Sequence, residues 1–173
     1  MNSQRILLLG GMFLFVLSSL TGLYYDLVLR PLQHSAVSYT LDMALNMAVK
    51  GDPAMAAAFA GEYASHSLVQ EIQSRLPLHL AFAGAAALVP LYLTVRLDMS
   101  ERMKRLLALF IVGGGLLLAA GDMLQIMGRH AMGRWTVLGG YAWTLLGLGG
   151  YALYAALFAW LQAAPPSRRR QIK

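Results

Sequence analysis

Residues 77–97, PLHLAFAGAAALVPLYLTVRL, decide the class of this protein. The stretch carries a single full charge, Arg96, near its end. At 1.5 Å of rise per residue it covers the roughly 30 Å hydrocarbon core of a bilayer, so it reads as a transmembrane helix. Three other stretches read the same way: residues 6–29, 106–127 and 137–161. The whole chain agrees, with 58% hydrophobic and 13% charged residues among 173 and a mean hydropathy of +0.55, far too apolar for a soluble domain of this size. The expectation is an all-α polytopic membrane protein, a four-transmembrane-helix bundle forming one integral membrane domain over residues 1–173.

The first span follows Arg5 and superficially resembles a secretory signal peptide. It runs on past Ser18-Ser19 into Gly22-Leu23-Tyr24-Tyr25, longer than a cleavable apolar region of roughly 7–15 residues, so it is read as an uncleaved span. Sidedness comes from the cations. Arg96, Arg102, Lys104 and Arg105 crowd the link between the second and third spans, and Arg168, Arg169, Arg170 and Lys173 close the chain. By the positive-inside rule these segments and both termini are cytoplasmic, in a bacterial-type inner membrane. Residues 30–76 and 128–136 then face outward.

The first outer link has its own pattern. Val37, Leu41, Ala44, Leu45, Ala48 and Val49 share one helical face, Gly51 ends that helix, and Asp52-Pro53 supplies an N-cap and a first-turn proline for another, running to about Arg75. An outer helical hairpin over residues 35–75, lying on the outer surface, is expected. Within the spans, Gly113-Gly114-Gly115 and Gly121, then Gly139, Gly140, Gly147, Gly149 and Gly150, predict close helix packing, because small residues let backbones approach where no hydrophobic effect acts between helices.

The absence of cysteine excludes disulfides, thiolate metal sites and covalent heme attachment. The net charge of +6 sits in short runs beside apolar stretches, a pattern of topology and not of nucleic-acid binding. On this topology His34, His66, His79 and His130 all lie on the outer side, with the intramembrane Asp122. Neutral imidazole is the commonest metal ligand. His79, just inside the second span, and His130, just past the third, could flank one iron; the plainer reading is two interfacial side chains bonded to carbonyls or water. Asp122 is costly, at least ~2.5 kcal/mol inside a span, and so needs a partner: a ligand to orient, Arg129, a proton, or a structural hydrogen bond. His34 and His66 are weaker metal candidates. Glu62 and His66, one turn apart, read as a surface pair, and Met43 and Met47 as packing in preference to copper ligands. No nucleophile–base pair or phosphate loop appears.

The segment Glu71-Ile72-Gln73-Ser74-Arg75-Leu76-Pro77-Leu78-His79, with Pro90 beyond it, resembles the start of the second transmembrane helix of heme-copper oxidase subunit I. There a low-spin heme ligand His, preceded by a leucine and followed by a proline near the same offset, enters from the outer side. Gly22 through Arg30, with Leu32, resembles that family's first helix and the region after it, and Arg96-Leu97-Asp98-Met99 leading to Arg105-Leu106 resembles its next link. The resemblance implies heme b at His79. It carries over no copper ligands, no high-spin heme ligand and no cross-linked tyrosine, since those belong to later helices of the family, so a complete oxidase or reductase is not expected from this chain alone. It implies instead an electron-transfer protein between quinol and an outer-side carrier, homo-oligomeric or within a larger respiratory complex. Two alternatives stand beside it: a cofactor-free accessory subunit docking a partner through the outer hairpin, and outer-side copper handling.

Overall fold

The computed structural model describes residues 2–163, with side chains as far as Trp160. The basic tail Arg168, Arg169, Arg170 and Lys173 lies outside the described residues. Helix α1 spans Ser3–Tyr24 and passes through a π turn, Tyr25–Leu29, into α2, Arg30–Val49. Helix α3 spans Pro53–Arg96, α4 Glu101–Ile126 and α5 His130–Ala163. No strand occurs among the described residues. Four helical units, Ser3–Val49, Pro53–Arg96, Glu101–Ile126 and His130–Trp160, are long and apolar enough to cross a membrane.

The distribution of side chains is that of a protein solvated by lipid. Leu9, Phe13, Val16, Leu20, Leu145, Leu146 and Leu153 face outward, while Ser18, Thr94, Asp122 and Thr144 are buried. In water this exposed apolar surface would drive aggregation; in hydrocarbon it is the solvated face, and small or polar residues belong inside.

Glycines set the closest contact. A Cβ on Gly140 would stand 2.8 Å from the Gly114 carbonyl, one on Gly121 2.8 Å from the Gly133 carbonyl, and one on Gly147 2.9 Å from the Leu107 carbonyl. Helices α4 and α5 therefore touch backbone to backbone along an antiparallel seam. Helix α1 packs on α3 in the same manner at Gly11 and Gly84, where a Cβ on Gly84 would lie 3.1 Å from the Gly11 carbonyl. Ser18 Oγ donates to the Pro77 carbonyl at 2.7 Å, and Leu14 and Ala83 meet over Gly115.

The expected caps form. Asp52 Oδ1 accepts from the Met55 amide at 3.1 Å, Pro53 opens α3, and Gly51 takes φ +78°. The segment between the first two spans differs from expectation, because no break separates it from either span. Helices α1 and α2 join as one unit of 47 residues and α3 is one helix of 44 residues, about 70 and 66 Å long. Pro31 explains the join. It lacks an N–H and cannot complete the i→i−4 ladder, and the π turn just before it widens the helix instead of ending it, with the Arg30 amide donating to the Tyr25 carbonyl.

The inward face carries through the π turn. The buried positions of α1 are Ser3, Leu7, Gly11, Leu14 and Ser18. The row that turns inward in α2 is Gln33, Ala36, Thr40, Met43 and Met47, which continues from Ser18 at about 3.6 residues per turn. Hence the apolar face read from sequence is split. Val37 and Ala44 are half-buried, but Leu41, Leu45 and Val49 are 40%, 58% and 88% exposed. Gln33 and Gln73 hydrogen-bond across the α2–α3 pair.

Candidate functional site

His79 lies on α3, Asp122 on α4 and Tyr141 on α5, and the three meet. His79 Nδ1 is 2.6 Å from Asp122 Oδ2, and the Tyr141 hydroxyl is 2.9 Å from His79 Nε2. The imidazole and phenol rings stand edge to face, with centroids 5.6 Å apart and planes at 85°. The side chains of His79 and Asp122 are only 15% and 3% exposed. Helical phase explains the convergence. Gly121 and Gly133 bring α4 and α5 into backbone contact one residue from Asp122, and Gly140, on the same seam, fixes the rotation that turns its neighbour Tyr141 toward α3.

The chemistry follows from the partners. Where Asp122 is a carboxylate it only accepts, so Nδ1–H donates to it and the Nε2 lone pair accepts from the tyrosine hydroxyl. An imidazolium fits the same positions, with Nε2–H donating to the phenol oxygen. The same heavy-atom positions thus serve either arrangement of protons. They also give Asp122, costly inside a span, a hydrogen-bond partner within the protein.

Beside this triad opens a cavity of about 380 Å³. His79, Asp122 and Gln125 line it together with Glu71, Arg75 and Arg134, against walls that include Ile72, Val137 and Leu138. Glu71 and Arg75 form an ion pair one turn apart.

Of the residues singled out from sequence, His79 and Asp122 are brought into direct contact. His130 is exposed at the start of α5 and makes none of the triad's contacts; His34 on α2 and His66 on α3 are also exposed. No group of three or more His, Asp or Glu residues arranged to hold a metal occurs among the described residues. Asp122 pairs with His79 and not with Arg129. Glu62 and His66 are both exposed, with no ion pair between them among the described residues. Met43 and Met47 are half-buried on the inward row of α2. Sequence reasoning missed Tyr141. Its signal was present: a tyrosine well inside a glycine-rich span needs a hydrogen-bond partner in the protein.

A scan of family models and searches of curated proteins and of solved structures each return no match to this chain.

Proposed function

We propose that the chain is a multi-pass protein of a bacterial-type inner membrane, a four-helix bundle with cytoplasmic termini, and that it serves membrane electron transfer with His79 as its working residue. It would act between quinol and an outer-side carrier or as a subunit of a respiratory complex. The observation that supports this reading is the 2.6 Å contact between His79 Nδ1 and Asp122. A metal-bound histidine characteristically donates its second ring N–H to a carboxylate, which orients the ring and raises its basicity. Asp122 does this and leaves the other ring nitrogen, Nε2, with the lone pair.

That donor set would suit an imidazole nitrogen bound to the iron of heme b, the group implied by the resemblance to heme-copper oxidase subunit I. His79 would hold the iron, once the Tyr141 hydroxyl turns away from Nε2. Bound there, the group would supply a one-electron carrier. The chain's own part is to fix the imidazole and to hold its Nδ1 proton against Asp122. After heme-replete expression the purified protein should show a Soret band that His79→Ala weakens and Tyr141→Phe preserves. A colourless preparation would overturn the heme reading.

A second reading, a cofactor-free accessory subunit that docks a partner through the outer hairpin, draws on the length of α2 and α3. Glu71 and Arg75 lie level with Arg134 of α5, so residues 53–70 of α3 run about 27 Å past that level. Leu41, Leu45 and Val49 are exposed on α2 beside them. Co-purification with a larger oxidoreductase, unchanged when all four histidines are replaced, is its expected signature; loss of the partner in the histidine-free variant would speak against it. The copper reading keeps only His34 and His66, exposed on separate helices, and equilibrium dialysis that finds no bound copper would remove it.

A further inference from the structure

The cavity beside the triad has a lining that specifies the charge of what it holds. Arg75 and Arg134 contribute two positive charges, Glu71 and Asp122 two negative ones, and Gln125 both a donor and an acceptor. An anionic head would meet two carboxylates, and a cationic one two guanidiniums. The lining suits a neutral head that both donates and accepts hydrogen bonds.

Position adds a second constraint. The cavity lies in the cleft between α3 and α5, floored by Asp122 and Gln125 of α4. Helices α3 and α5 meet over a short stretch only, so the cleft opens sideways between them, at the level where the membrane reading puts the outer interface. Its walls are apolar at Ile72, Val137 and Leu138, and its volume of about 380 Å³ falls within the span of small-molecule sites, ~300–1,000 Å³. Arg134 is exposed at the rim and pairs with no carboxylate among the described residues, which leaves its donors for a ligand.

We infer that this cavity binds the head of a neutral amphiphile bearing a hydroxyl and a second oxygen, the chemistry shared by quinols and monoacylglycerols. The inference rests on the membrane reading of the four helices and not on heme. The ligand hydroxyl donates toward the Asp122–His79 floor, its second oxygen accepts from Arg134 or Gln125, and its tail leaves between α3 and α5 into lipid.

The full chain in detergent micelles tests this by the shift in thermal unfolding midpoint on titration with three probes of equal chain length. These are an alkyl-substituted benzoquinol, a monoacylglycerol and phosphatidic acid. Saturable binding of either neutral probe is expected, and the one that binds identifies the source. Arg134→Ala should weaken it about tenfold or more, as loss of a hydrogen bond to a charged group does. Leu138→Trp, which fills the cavity, should abolish it, while Arg129→Ala leaves it unchanged. Positions 134 and 138 are exposed, so an unchanged circular dichroism spectrum certifies each fold. Absence of saturable binding by both neutral probes overturns the inference, as does wild-type binding in Arg134→Ala and Leu138→Trp, or preference for phosphatidic acid. A colourless protein that binds benzoquinol defeats the heme reading alone, and a protein with a Soret band that binds neither neutral probe defeats this inference alone.

Discussion

Replacing Gly140 by alanine and, separately, replacing its neighbour Gly139 by alanine should move stability in opposite directions. At Gly140 the new Cβ would stand 2.8 Å from both the Gly114 carbonyl and the Leu118 amide, and 2.9 Å from Leu118 Cγ. Two of those three atoms are backbone, so no rotamer change relieves them. The helices must separate by roughly half an ångström, which already forfeits about a quarter of the dispersion well for each contact along the seam. Overpacking of this kind costs about 1–3 kcal/mol. At Gly139 a Cβ meets nothing within 4 Å. Both substitutions gain the same helix propensity, up to about 1 kcal/mol, so that gain cancels in the comparison and the difference isolates the seam. Reversible unfolding in mixed micelles with rising dodecyl sulfate, followed by circular dichroism, should place Gly139→Ala at or above wild type and Gly140→Ala about 1–3 kcal/mol below Gly139→Ala. Superimposable curves for the two variants would refute the claim that α4 and α5 touch through their backbones.

At the other end of the helices, the Ser3 amide donates to Glu101 Oε1 at 2.7 Å. That bond, helped by Arg105, holds the Glu101 carboxyl below its ordinary value. A lowered carboxyl stabilises the contact above its unfolded pKa and loses it as pH falls through the folded one. The Ser3 amide resonance should therefore shift on acidification below the ordinary carboxylate range and stay put in Glu101→Gln; identical titrations would remove the coupling. For sidedness, Met103→Cys should react with an impermeant maleimide only from the cytoplasmic face and Gly51→Cys only from the outer face, and labelling of both from one face would break the topology. Tyr141→Phe frees His79 Nε2 of its partner, so the histidine ring resonances should change while the helical content does not; unchanged ring resonances would mean that the hydroxyl is not bonded there.

The four apolar units and their caps were legible because a bilayer-length apolar run, an Asp-Pro pair and a lone glycine each act locally. Asp122 was legible as an anomaly, since a carboxylate in a span demands a partner. That partner was not. The choice of His79 over Arg129 depends on how far α4 rotates against α3, which is fixed by glycine contacts between helices distant in sequence. Tyr141 was hidden for the same reason, its direction being set by Gly140 beside it. The continuity through residues 25–31 escaped because the apolar run ends at residue 29, whereas the wider turn carries the helix on past Pro31.

That wider turn gives the Ser3–Val49 helix one place that can absorb a change in chain length. Deleting a single residue between Tyr25 and Leu29 would trade the π turn for an ordinary one and leave both halves facing as they do, with Gln33 and Thr40 still toward α3. The same deletion within Ser3–Tyr24 would instead swing what lies beyond it by about 100° and set the grip of that half on Gly84 and Pro77 against the packing of α2.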